Sequence, residues 1–216
     1  MVGRRPFLGA LIIVLTMIAP ASSAAQGGDS PSESSRSPRE SAGDAIKFLG
    51  GGAAAFAVHE SGHLLFDAIF DAHAEVQAVH FGPLPFFAIV PTRPLESRQL
   101  YAVSAAGLWT QALTSEVILA RHPGLRHERA PFQKGVLAFN VLTSVGYGMV
   151  AFAQTGPAER DTLSMARGLG VNERAVGALV LAPALLNAYR YYRPDAKWAR
   201  WTARVLEASS VVLVVK

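Results

Sequence analysis

Apolar residues in this chain gather into long blocks divided by short polar and basic stretches, and the blocks set the elements it is expected to form. Five blocks read as helices: about Asp44 to Ala74, Ser97 to Ala120, Phe132 to Gln154, Asn172 to Tyr192 and Ala196 to Val215. A shorter helical piece covers about Ala158 to Gly168. The second, third and fourth blocks each hold about 20 mostly apolar residues, near the length a bilayer core requires. The first contains "FLGGGAAAFAV", whose three consecutive glycines suit a helix packed closely in lipid better than one exposed to water. Between the first two blocks the period changes. Val76, Ala78 and His80 alternate with Gln77, Val79 and Phe81, "GPLP" interrupts, and "FFAIV" resumes. That pattern predicts a short β-hairpin turning around Gly82 to Pro85. The expected fold is mainly α, a multi-helix membrane bundle with a β-hairpin after its first helix.

Two segments precede the bundle. Arg4 and Arg5 stand before an apolar run from Phe7 to Ile18, and small residues follow in "APASSAAQ". Residues 1–25 therefore read as a signal peptide, with cleavage after Ala21, Ala24 or Ala25, or as an uncleaved signal anchor. Residues 26–43 are rich in Ser, Pro and Gly and hold no large apolar side chain. Such a stretch cannot bury enough surface to offset chain entropy, so it is expected to be a disordered linker. The folded domain is then expected over residues 44–216.

Charge sharpens the membrane expectation. Half of the 216 residues are apolar and only 17% are charged, against about a quarter in ordinary soluble domains. The net charge of +4 raises nucleic-acid binding as an option, but nine cations fall in two stretches that follow apolar blocks. These are Arg121, Arg126, Arg129 and Lys134, then Arg190, Arg193, Lys197, Arg200 and Arg204. Short basic connections between apolar spans are a membrane pattern. The expected location is the bacterial inner membrane, with the lipid bilayer as partner and no nucleic acid. The cluster "YRYYRPDAKWARW" mixes aromatic rings with cations, as expected at a bilayer interface.

The candidate chemistry lies in the first helical block, in "AVHESGHLL". His-Glu-x-x-His arises by chance in on the order of one shuffled sequence in a hundred. On a helix, His59 and His63 stand one turn apart on one face, so both imidazoles can reach a single ion. Glu60 is rotated by one residue, placed to act as a general base without being a ligand. Burying two His and one Glu without a metal would cost several kcal/mol of desolvation. The chain has no cysteine, so thiolate sites are excluded and a transition metal must be held by imidazole and carboxylate. Zn2+ is the expected cofactor.

A catalytic zinc takes three protein ligands and keeps one open position. Asp67 shares the helix face but lies about 12 Å along the axis from His59 at 1.5 Å per residue, which suits an outer role or solvent. His73, His80, Glu116, His122, Glu159 and Asp161 are the remaining candidates. His73 and His122 sit in polar connections and read as solvated, His80 falls on the hairpin, and Glu116 reads as a charge on the second helix. Asp161 opens the short piece "ERDTLSMARGLG" just after a Gly-Pro turn, where a carboxylate can project back into the bundle. It is favoured as the third ligand.

"AVHESGHLL" in the first apolar helix, then a hairpin, then "AAGLWTQAL", resembles the site-2 protease family of intramembrane zinc metalloproteases. The resemblance covers roughly residues 45–170. It implies His59 and His63 as zinc ligands, Glu60 as catalytic base, Asp161 as third ligand, and a β-element that receives an extended substrate. The family's middle helix often carries Gly-Pro-x-x-Asn; here Gly107 and Gln111 keep the spacing and an amide, while Leu108 replaces the proline. The family's Asp is followed closely by Gly, which "RDTLS" lacks. In the third block, Asn140, Thr143 and Tyr147 lie within an apolar span and are expected to bond between helices. The function expected is hydrolysis of peptide bonds in membrane-associated protein substrates. A non-catalytic metal-binding scaffold or sensor is the alternative, and the feature against it is Glu60, which storage or sensing does not need.

Overall fold

A computed structural model of the chain describes residues 38–81 and 84–215. The expected signal segment and residues 26–37 of the expected linker lie outside the described residues. The described residues form α1 (Pro38–Ile69), β1 (Ala74–Phe81), β2 (Leu84–Pro91), α2 (Ser97–Arg121), α3 (Pro131–Ala153), α4 (Asp161–Leu169), α5 (Glu173–Tyr192) and α6 (Lys197–Val215). The fold is mainly helical with one small antiparallel sheet, and the helical blocks fall within a few residues of their expected bounds. The first block needs correction at both ends: it stops at Ile69 rather than reaching Ala74, which opens β1, and it begins early. Helix α1 starts at Pro38, six residues inside the stretch expected to be disordered, because proline suits the first turn of a helix and Glu40 complements its N-terminal dipole.

Helix α2 is the centre of the bundle. Every residue from Tyr101 to Leu108 is buried, which fits a helix covered on all sides by neighbours. Helix α1 packs against both α2 and α3. Its crossing with α3 depends on Gly51 and Gly135, since a methyl group on either would run into the backbone carbonyl of Phe132 or Phe48. The glycine run therefore acts through close helix approach, as its sequence suggested. The hairpin pairs Val76 with Ile89 and Ala78 with Phe87, and among the described residues each strand has a single neighbour. The turn expected around Gly82 to Pro85 has its centre, Gly82 and Pro83, outside the described residues.

Helix α4 is short and ends at Gly170 in the left-handed conformation. Helix α5 then departs at 118° to it. Met165 and Ala166 anchor α4 in a core cluster with Tyr101, Ala105, Leu108, Val176 and Val180. This packing, one turn below Asp161, holds the start of α4 against α2.

Among the described residues, Pro131–Ala153 is the single helix long and apolar enough to cross a membrane, and α4 with α5 qualifies as one bent pair. The expectation of three comparable spans is corrected here. Helix α2 has the length, but Thr110, Gln111, Thr114, Ser115 and Glu116 make its second half polar. Glu116 is no simple surface charge: it accepts from Arg190 of α5 at 2.6 Å and from Arg204 of α6, tying three helices together.

Candidate metal centre

Helix α1 carries His59 and His63 on its inward face, where the two residues are 3% and 5% exposed. The i, i+4 spacing brings their Nε2 atoms to 3.2 Å from each other. Asp161, the first residue of α4, completes the group: its Oδ2 lies 3.5 Å from Nε2 of His59 and 3.5 Å from Nε2 of His63. These are the candidate ligands named from the sequence, and among the described residues they form one group that could hold a metal ion.

The donor atoms can be tested against a metal. A tetrahedral zinc at about 2.0–2.1 Å from each ligand sets the ligand atoms roughly 3.3 Å apart. The three separations here, 3.2, 3.5 and 3.5 Å, fit that spacing. The tautomer fits too. Nδ1 of His63 lies 2.8 Å from the carbonyl oxygen of Val103, which can only accept, so Nδ1 donates and a neutral ring keeps its lone pair at Nε2. That orienting bond to α2 is the kind of outer support metal-binding histidines use. The His63 lone pair and a carboxylate oxygen thus converge on one point together with Nε2 of His59. Oδ2 of Asp161 has no hydrogen-bond partner there, so a cation would relieve the crowding of acceptors.

The backbone of α2 closes the site from one side. A Cβ on Gly107 would lie 2.5 Å from Nε2 of His63 and 2.6 Å from Nε2 of His59. Only a residue without a side chain fits under the two imidazoles. Tyr147 of α3 covers another side, its ring stacked on that of His59 with centroids 6.1 Å apart and planes 19° apart, and it also neighbours Asp161. Glu60 is half-buried beside the group, within electrostatic reach of His59, His63 and Asp161.

The other candidates lie elsewhere. Asp67 is absent from the group, as its axial distance predicted, but it is buried with neither carboxylate oxygen hydrogen-bonded, so a solvated role does not hold. His73 is exposed and pairs with Asp71 at 3.1 Å. His122 pairs with Glu128 at 2.6 Å, while His80 and Glu159 are exposed. Gln111 lines a cavity of about 50 Å3 in the bundle interior with Asn140, Asn187 and Glu207. Asn140 donates to the Gln111 carbonyl and to the hydroxyls of Thr114 and Ser115, the interhelical bonding expected of it.

Sequence reading did not find the contacts of Tyr147 or the steric role of Gly107. The signal for Tyr147 was present, a polar-tipped ring in an apolar span, but nothing local aimed it at His59. The set of two imidazoles, one carboxylate and an adjacent glutamate suits zinc-assisted hydrolysis. Compared with known proteins, the chain matches no family model, no curated protein and no solved structure.

Proposed function

We propose that this protein is a zinc-dependent endopeptidase of the membrane, a divergent relative of the site-2 protease metalloproteases, acting on peptide bonds of membrane-associated proteins. The observation that carries the reading is the convergence of His59, His63 and Asp161 at tetrahedral spacing with Glu60 beside them. Held by those three side chains, Zn2+ would supply Lewis acidity. Glu60 takes a proton from water as its oxygen bonds to the scissile carbonyl carbon. It then delivers that proton to the nitrogen as the C–N bond breaks, leaving a carboxylic acid and an amine.

The hairpin supports a peptide substrate. Among the described residues each strand has one edge without a partner strand, where an extended chain can add through backbone hydrogen bonds. Phe87 of β2 packs edge-on against Phe56 at 5.8 Å, about one helical turn before His59, so the sheet sits near the ligands.

The membrane part of the reading rests on the surface. Leu49, Leu65, Ile69, Leu113 and Leu185 are all more than half exposed or close to it, a burden of apolar surface that a bilayer would cover. Helix α3, and the bent pair α4–α5, are the candidate spans. Trp198 and Trp201 are about 60% exposed on α6 beside Lys197 and Arg204, a composition suited to the headgroup layer of a bacterial inner membrane.

The test is metal content and proteolysis on purified protein. The parent should hold about one equivalent of zinc, and His59→Ala should lose it. Glu60→Gln should keep the zinc and lose about 100-fold or more of the cleavage rate against a peptide library. Full proteolysis by Glu60→Gln would remove Glu60 as the base. Zinc without cleavage in the parent would favour a scaffold or sensor.

A further inference from the structure

Asp161 is the first residue of a nine-residue helix, so its aim depends on how that one short element is held. The residues on both sides of it are gripped by the same carboxylate. Arg160 donates from Nε and Nη2 to the two oxygens of Glu173, each at 2.7 Å, a bidentate pair. Thr162 donates from Oγ1 to Oε1 of Glu173 at 2.8 Å. The arrangement is dry: the side chains of Arg160 and Glu173 are 10% and 3% exposed, and Thr162 is fully buried. Arg160 also donates to the carbonyl of Pro157 at 2.8 Å, fixing the turn that enters the helix. Glu173 itself opens α5, whose N-terminal dipole favours a carboxylate at that place.

We propose that Glu173 is a positioning residue for the metal centre, acting through Arg160 and Thr162 to hold Asp161 toward His59 and His63. The inference rests on the metal reading given above. Glu173 does not touch the ligand group; it clamps residues 160 and 162 and so sets the rotation of the first turn of α4. Were Asp161 positioned by core packing of Met165 and Ala166 alone, Glu173 would contribute only to general stability.

Co2+ separates these cases, because its visible absorption reports coordination geometry without needing turnover. The full-length protein in detergent is titrated with Co2+ alone, for the parent, Glu173→Gln, Thr162→Val and Glu116→Gln. Glu173→Gln should weaken Co2+ binding by about 10- to 100-fold and alter the band, the scale seen when an outer partner of a metal ligand is lost. Thr162→Val should act in the same direction by a few fold. Glu116→Gln is the control: it disrupts another largely buried carboxylate with two arginine partners, so it should lower the thermal midpoint yet leave affinity within about twofold of the parent. The proposal is overturned if Glu173→Gln binds Co2+ like the parent with a superimposable spectrum, or if Glu116→Gln loses as much affinity. Should Glu173→Gln not fold, an unchanged Thr162→Val overturns it, and a loss of about threefold or more supports it. A parent that binds no Co2+ refutes the metal reading itself.

Discussion

Replacing Gly107 by alanine tests the metal centre with a single methyl group. The added carbon would sit 2.5 Å from Nε2 of His63 and 2.6 Å from Nε2 and Cε1 of His59, about 1 Å inside ordinary contact. In the metal-free protein the imidazoles must turn aside within a buried site, straining the His63–Val103 hydrogen bond, so the thermal midpoint should fall modestly. Binding zinc forces both nitrogens back beneath the methyl, and the overpacking energy of about 1–3 kcal/mol falls on the binding step. That range corresponds to zinc affinity weaker by roughly 5- to 150-fold, at about 1.4 kcal/mol per tenfold. Chelator competition on the parent and Gly107→Ala measures it directly, with thermal unfolding of the metal-free forms as control. Equal zinc affinity in the two proteins would show that the ligands do not meet beneath Gly107, and the geometric argument would fall.

Other positions give further tests. Gly135→Ala places a methyl against the carbonyl of Phe48, where no side chain can swing aside, so it should destabilise the metal-free protein by about 1–3 kcal/mol, read as a lower thermal midpoint. On α6, burial pushes the Glu207 carboxyl up from its ordinary 4.5 to about 7, with Glu116 adding to the rise and Asn187, Arg190 and Arg204 opposing it. The folded state therefore prefers the protonated form. Stability is full below pH about 4.5, falls as pH climbs and the unfolded chain ionises first, and levels off above about 7, for a total on the order of 3 kcal/mol. Glu207→Gln should flatten that slope, matching the parent near pH 4.5 and exceeding it at pH 8; a parallel slope in thermal midpoints would contradict the account.

How much of the centre was legible in advance differs by residue. His59, Glu60 and His63 are spaced by the helix itself, so five consecutive positions of a helical segment already place two imidazoles together. Asp161 was reachable by argument because a Gly-Pro turn and a short helix start bring a carboxylate back toward the bundle. Its neighbours were not. Arg160 and Glu173 look like two ordinary surface charges in the sequence, and Glu116 like a third, yet each is drawn into the interior by a partner on another helix.

Sequence alone determined the helical blocks, the hairpin and the pair of histidines, because hydrophobic period and i, i+4 spacing are properties of a few adjacent residues. Tertiary structure decided the rest. It brought α2 close enough that Gly107 must lack a side chain, stacked Tyr147 on His59, and turned α4 by 118° from α5 so that Glu173 grips both flanks of Asp161. The physical reason is that these contacts join residues far apart along the chain, and their geometry depends on how whole helices pack rather than on any local preference.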